Sequence, residues 1–172
     1  MNGARPEFSR LVPVARLGTE PFRQEIAATE EERIALARRF DLLALDRLQA
    51  SVELVRQARG TILLRAAFDA DFVQSCVVTL DPVPGAMSER FSLLYGPAEA
   101  EDSAGAAEDD LAFEPLSADA IDVGEAVAQE FSLALPPFPR SPEAAVEAEE
   151  PMPDSESPFA ALSRLSGRGS NE

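Results

Sequence analysis

The 35 residues from Thr61 to Tyr95 constrain this chain most. They read TILLRAAFDADFVQSCVVTLDPVPGAMSERFSLLY. Three apolar runs, Thr61–Phe68, Phe72–Leu80 and Met87–Tyr95, are rich in Val, Ile, Leu, Phe and Thr. Asp69-Ala70-Asp71 separates the first two, and Asp81-Pro82-Val83-Pro84-Gly85 separates the second from the third. β-Branched and aromatic side chains fit a pleated, half-buried surface, whereas Asp, Pro and Gly favour turns. The pattern predicts three consecutive antiparallel strands, with the one cysteine, Cys76, in the middle strand.

Shorter elements precede this stretch. Ser9–Leu17 is apolar but contains Pro13, which cannot donate to a ladder, so it is expected at a sheet edge. Phe22–Ala27 alternates imperfectly and reads as a short strand. Thr29-x-x-Glu32 has capping-box spacing. Glu30, Glu31 and Glu32 suit the positive end of a helix dipole, and Arg38 and Arg39 suit the negative end. A helix is predicted from Glu30 to Phe40, burying Ile34, Ala37 and Phe40. Leu48, Ala50, Val52 and Leu54 alternate with Gln49, Ser51, Glu53 and Val55, which predicts a strand with one polar face.

Beyond Tyr95 the composition changes. Residues 97–118 read as a mobile acidic loop. Asp122-x-x-Glu125 then marks a second helix, with Val123, Val127, Phe131 and Leu135 on one side beside Ala126 and Ala134. Pro136-Pro137 ends it, and Phe138 is expected to extend its contact with the sheet. Residues 141–172 read as an acidic, disordered tail. It closes with an amphipathic segment, 157–166: Ser157 suits a cap, Pro158 the first helical position, and Phe159, Leu162 and Leu165 share a face. Such a segment is too short to be stable alone.

Composition narrows the chemistry. The chain has no His, and all 15 of its basic residues are Arg. Ser-His-Asp and Cys-His catalysis, Schiff-base lysine chemistry and a lysine-bearing P-loop are therefore excluded. A single cysteine forms no internal disulfide, which fits a reducing cytoplasm. No segment of signal-peptide or membrane-spanning type is found, so neither a membrane nor DNA is an expected partner. No catalytic residue, cofactor or metal ligand is assigned.

The net charge of −16 is uneven. Residues 1–97 carry 13 acids against 12 arginines, and residues 98–172 carry 18 against 3. An acidic arm repels phosphate and attracts basic proteins. Arg38, Arg39, Arg56 and Arg59 nevertheless form the candidate set for direct RNA contact, since guanidinium pairs with phosphate and stacks on bases. Arg33 also has Glu30 within reach along the helix. Cys76 reads as a small buried side chain.

Three segments together, FVQSCVVTLDPVPGAMSERFSLLY, IDVGEAVAQEFSLALPPFPR and SPFAALSRL, resemble the YceD-like family, the large ribosomal RNA subunit accumulation proteins of bacteria and plastids. Many members carry Cys-x-Arg-Cys-Leu where this chain has Cys76-Val77-Val78-Thr79-Leu80, so a paired-thiol role does not carry over. The resemblance implies a non-enzymatic factor in synthesis, processing or stability of large-subunit ribosomal RNA. With the acidic arm, it makes a basic ribosomal protein or assembly factor the expected partner, anchored by Phe159, Leu162 and Leu165. Direct contact with ribosomal RNA is the alternative. The expected fold is α+β: an antiparallel β-meander packed against two helices within a single domain, residues 1–140.

Overall fold

The computed structural model describes residues 6–57, 60–97, 111–116 and 118–145. The fold is α+β. Strands β2 (Phe22–Ala27), β3 (Ala44–Arg56), β4 (Ile62–Ser75) and β5 (Pro82–Gly96) follow each other across one sheet as antiparallel neighbours. Strand β6 (Ala112–Pro115) joins the far side of β5 in parallel. Strands β1 (Leu11–Pro13) and β7 (Ala120–Asp122) pair separately as a two-stranded ribbon. Helix α1 spans Glu30–Arg39 and α2 spans Val123–Ala134.

The long strands bury one face by simple alternation. Leu48, Ala50, Val52 and Leu54 of β3 point into the core, as do Leu64, Ala66, Phe68, Ala70 and Phe72 of β4. The opposite face carries charge. Glu53 lies between Arg23 (2.7 Å) and Arg65 (3.6 Å), and Asp71 pairs with Arg47 (2.8 Å).

Two helices close the core. The expected capping box is present: the Glu32 amide donates to Thr29 Oγ1, and the Thr29 amide to the Glu32 carboxylate. Helix α2 starts at Asp122, whose carboxylate accepts from the Glu125 amide. That carboxylate also accepts from Ser9 Oγ and the Arg10 amide, which ties the helix to the segment before β1. Gly124 lets these backbones approach closely, because a Cβ there would lie 2.3 Å from the Phe8 carbonyl oxygen. Val123, Ala126, Val127, Ala128 and Phe131 are buried. The Phe131 ring makes edge contacts with Phe40 (5.9 Å), Phe68 (6.3 Å) and Phe72 (5.7 Å).

Several expectations change. Asp69-Ala70-Asp71 is not a turn; it lies inside the 14-residue strand β4. Its aspartates take the polar face, where Ser88 Oγ donates to Asp69, while Ala70 fills a core position. Three runs thus become two strands. Most of Asp81–Gly85 belongs to β5, and Gly85 sits where the Phe72 ring leaves no room for a Cβ. Cys76 follows β4 rather than lying within it. The sheet is mixed rather than wholly antiparallel, because β6 arises inside the stretch read as loop 97–118; residues 98–110 and 117 lie outside the described set. Ile34 is 46% exposed, and Leu36 replaces it in the core beside Ala37. Ala134 is exposed, whereas Ala128 is buried. Phe138 is 77% exposed, although the backbone on either side of it is bonded to residues at the end of β4.

Phe131→Ala is expected to destabilise the domain by about 3–5 kcal/mol, the usual range for emptying a fully buried ring site. Leu133→Ala, on the exposed side of the same helix, should change stability by only about 0.5 kcal/mol or less. Urea unfolding followed by circular dichroism measures both.

Candidate interaction surfaces

The arginines picked out for RNA contact do not act as a group. Arg39 bridges Glu7 (3.0 Å) and Glu125 (2.6 Å), tying α1 to α2 and to the N-terminal segment. Arg56 donates to the carbonyls of Leu17 and Val14, each at 2.8 Å, and so holds the 3₁₀ turn Val14–Arg16 against β3. Arg38 is exposed and has no ion pair among the described residues. Arg59 lies outside the described residues. Arg33 donates to the Ala28 carbonyl (3.1 Å) rather than pairing with Glu30.

One two-bonded ion pair was not legible in the sequence. Arg10 grips Glu32 through two bonds, at 2.6 and 2.8 Å. Those bonds, with the Thr29 amide, hold the Glu32 carboxyl well below its usual range, at about 2, against partial burial. The two residues are 22 positions apart, and no local pattern links them.

The polar sheet face holds a shallow concavity of about 650 Å³. Register places Glu25, Ser51, Ala67 and Arg90 in one row across β2 to β5, so small side chains floor the dip between a carboxylate and a guanidinium. Among the described residues no group of three His, Cys, Asp or Glu is placed to hold a metal ion. Face and rim offer ionic and hydrogen-bonding contacts to a macromolecule, and Ser88 Oγ donates to Asp69 within the concavity.

A third surface surrounds the β4–β5 turn. Cys76 is fully buried there and its thiol is free. Hydrogen bonds from the Thr79 side chain and from the Ser141 and Thr79 amides draw its pKa down to about 6, against burial, which pushes it up. The thiol therefore joins the turn to the segment after α2. Two further bonds complete that strap: the Val77 amide to the Pro139 carbonyl (2.9 Å) and Gln74 Nε2 to the Pro136 carbonyl (3.0 Å). Around the strap, Val77, Leu80, Leu133 and Phe138 all stand exposed. Leu80 is 75% exposed and has φ +64°, a left-handed conformation that costs an ordinary residue roughly 1–2 kcal/mol. Its amide donates to the Cys76 carbonyl (3.0 Å), closing the turn. Sequence reading placed Leu80 at a strand end and missed both features, which become visible only with backbone angles.

Phe159, Leu162 and Leu165, the expected partner anchor, lie outside the described residues. No helix among the described residues is long and apolar enough to cross a membrane.

Residues 64–165 match the family model described as large ribosomal RNA subunit accumulation protein YceD. The match takes in β4 from Leu64 onward, β5, the turn between them, β6, β7, α2 and the tail segment as far as Leu165. No curated protein matches the chain, and no solved structure does.

Replacing Leu80 by Gly removes an exposed side chain and relieves the left-handed backbone. Leu80→Gly is expected to stabilise the fold by about 1 kcal/mol, read as a rise in the urea midpoint. A fall in the midpoint would show that the Leu80 side chain supports the turn.

Proposed function

The chain belongs to the YceD family of large ribosomal RNA subunit accumulation proteins, and from that membership we propose that it supports synthesis, processing or stability of large-subunit ribosomal RNA in the cytoplasm, as a non-enzymatic factor acting through a basic protein partner. The family match over residues 64–165, more than half of the chain, carries this reading.

Charge and packing support protein-mediated action. Residues 98–172 carry 18 acids against 3 arginines, which opposes phosphate and favours lysine- and arginine-rich surfaces. Of the arginines an RNA-binding reading needs, Arg39 and Arg56 already serve the fold. Apolar side chains bared around the β4–β5 turn are a feature of protein-contact surfaces. The partner in this reading is a basic ribosomal protein or an assembly factor, and Phe159, Leu162 and Leu165 are its apolar anchor. Direct RNA binding through Arg38, Arg39, Arg56 and Arg59 is the competing mechanism for the same biological role.

Depletion of the protein from its source cells is expected to lower the ratio of large- to small-subunit ribosomal RNA. Re-expression of the natural chain should restore it, and an Arg38→Ala chain should restore it equally well. An unchanged ratio on depletion would remove the ribosomal reading. Restoration by the natural chain but not by Arg38→Ala, with the variant folded, would favour direct RNA contact.

A further inference from the structure

A strand covered on one face alternates buried and open side chains. Strand β4 alternates from Arg65 onward, but its start does not. Thr61, Ile62, Leu63 and Leu64 are all buried, and so are Leu93, Leu94 and Gly96 beside them on β5. Both faces of the sheet are therefore covered at this end.

One cover is evident. Ile62, Leu64 and Leu93 belong to the central core cluster, to which α1, α2 and the β1–β7 ribbon give their buried side chains. Leu63 and Leu94 are not part of that cluster. Register pairs Val55 with Leu63, Leu63 with Leu94, and Leu94 with Phe113. These four side chains form an apolar row across β3, β4, β5 and β6 on the face away from the helices. Phe113 shields one end, since a Cβ at Gly96 would meet its ring at 3.1 Å and Thr61 Cγ2 at 3.0 Å. Its ring thus reaches from β6 over β5 toward Thr61, and Leu111, two positions before it, is half-buried; the Leu63 backbone lies two strands from Phe113, roughly 10 Å. Leu63 is 7% exposed and Leu94 1%.

Outside the described set, few stretches of the chain carry the apolar side chains that such a row calls for. Residues 98–110 contain no apolar side chain larger than Ala, and residues 58–59 are Ala and Arg. Residues 1–5 offer only Met1. In 146–172, Val146 and Met152 stand alone, whereas Phe159, Leu162 and Leu165 repeat at every third position.

We propose that the C-terminal segment 157–166 docks as a short helix across this row, seating Phe159, Leu162 and Leu165 on Val55, Leu63, Leu94 and Phe113. Three helical residues rise about 4.5 Å, close to the roughly 4.8 Å between strands. A helix lying across the strands therefore sets one apolar side chain per strand. The tether allows it. Ser141 is fixed at the Cys76 end of β4, about 44 Å along the strand from Leu63. Fifteen residues lie between Ser141 and Ser157, so sixteen steps give a reach of about 53–58 Å when extended. Tethering also supplies an effective concentration of order millimolar, enough to hold a segment too short to fold alone. This contact uses the same three side chains that the partner reading takes as its anchor, so docking on the sheet excludes that anchor; the ribosomal role rests on the family match and can hold or fail without it.

Amide NMR on the full chain tests it, using Phe159→Ala/Leu162→Ala/Leu165→Ala and, separately, deletion of residues 146–153. The deletion leaves seven residues between Ser141 and Ser157, so eight steps give a reach of about 28 Å, which is too short. Both variants should shift the amides of Val55, Leu63, Leu94 and Phe113 and raise hydrogen exchange at Leu63 and Leu94 at least tenfold. Signals around Phe131 should stay in place, marking an intact core. A synthetic peptide of residues 157–168 added to the deletion variant should restore the original shifts. Unmoved amides in the triple variant would overturn the proposal. So would a contact that survives the deletion or disappears on dilution, since the segment would then come from a second copy.

Discussion

Phe131 is the contact on which the rest of the domain depends. Its ring meets Phe40 from the end of α1 and Phe68 and Phe72 from β4, so a single side chain holds both helices to the sheet. Edge-to-face ring pairs add directional preference to the gain from burial. Once α2 is fixed, its N-cap Asp122 holds the segment around Ser9 and Arg10, and Arg10 reaches Glu32. Past its other end, the strap at Pro136–Ser141 reaches the β4–β5 turn and the Cys76 thiol. The N-terminal segment and the turn surface are thus both positioned through one helix.

The sheet uses its two faces differently. One face carries the core. The other is polar along most of its length, with ion pairs and small side chains, and becomes apolar at the Leu63–Leu94 end. Covering that end removes apolar surface from water, and residues 157–166 carry an apolar stripe outside the domain. Most of the net charge of −16 falls in residues 98–172, which include β6, β7 and α2 as well as the tail, while residues 1–97 are close to neutral.

Much of this was legible in the sequence because it is local. Thr29 and Glu32 announce a capping box at fixed spacing, and Leu48 to Leu54 alternate because one face of β3 is buried. The Val123–Phe131 stripe likewise marks the face of α2. The failures have physical causes. Asp69 and Asp71 look like turn residues, yet they sit in strand because the face they occupy is solvated. Strand β6 is only four residues long and pairs in parallel across a connection, leaving no periodic signal. Arg10–Glu32 and Arg39–Glu125 join residues far apart in the chain, so the arginines read as an RNA patch were partly structural. The apolar character of Leu63 and Leu94 was visible; that they face away from the core required the register.

The proposed role requires this acidic chain to touch a basic protein. The absence of lysine makes a direct test possible. Carbodiimide coupling joins a carboxylate to an amine, and this chain offers no amine of its own beyond its N-terminus. Adducts formed in cell extract therefore link its acids to lysines of a partner. The account predicts adducts between residues 98–172 and a basic protein in large-subunit precursor fractions. Absence of protein adducts, together with photo-cross-linking of the arginines to ribosomal RNA, would contradict it.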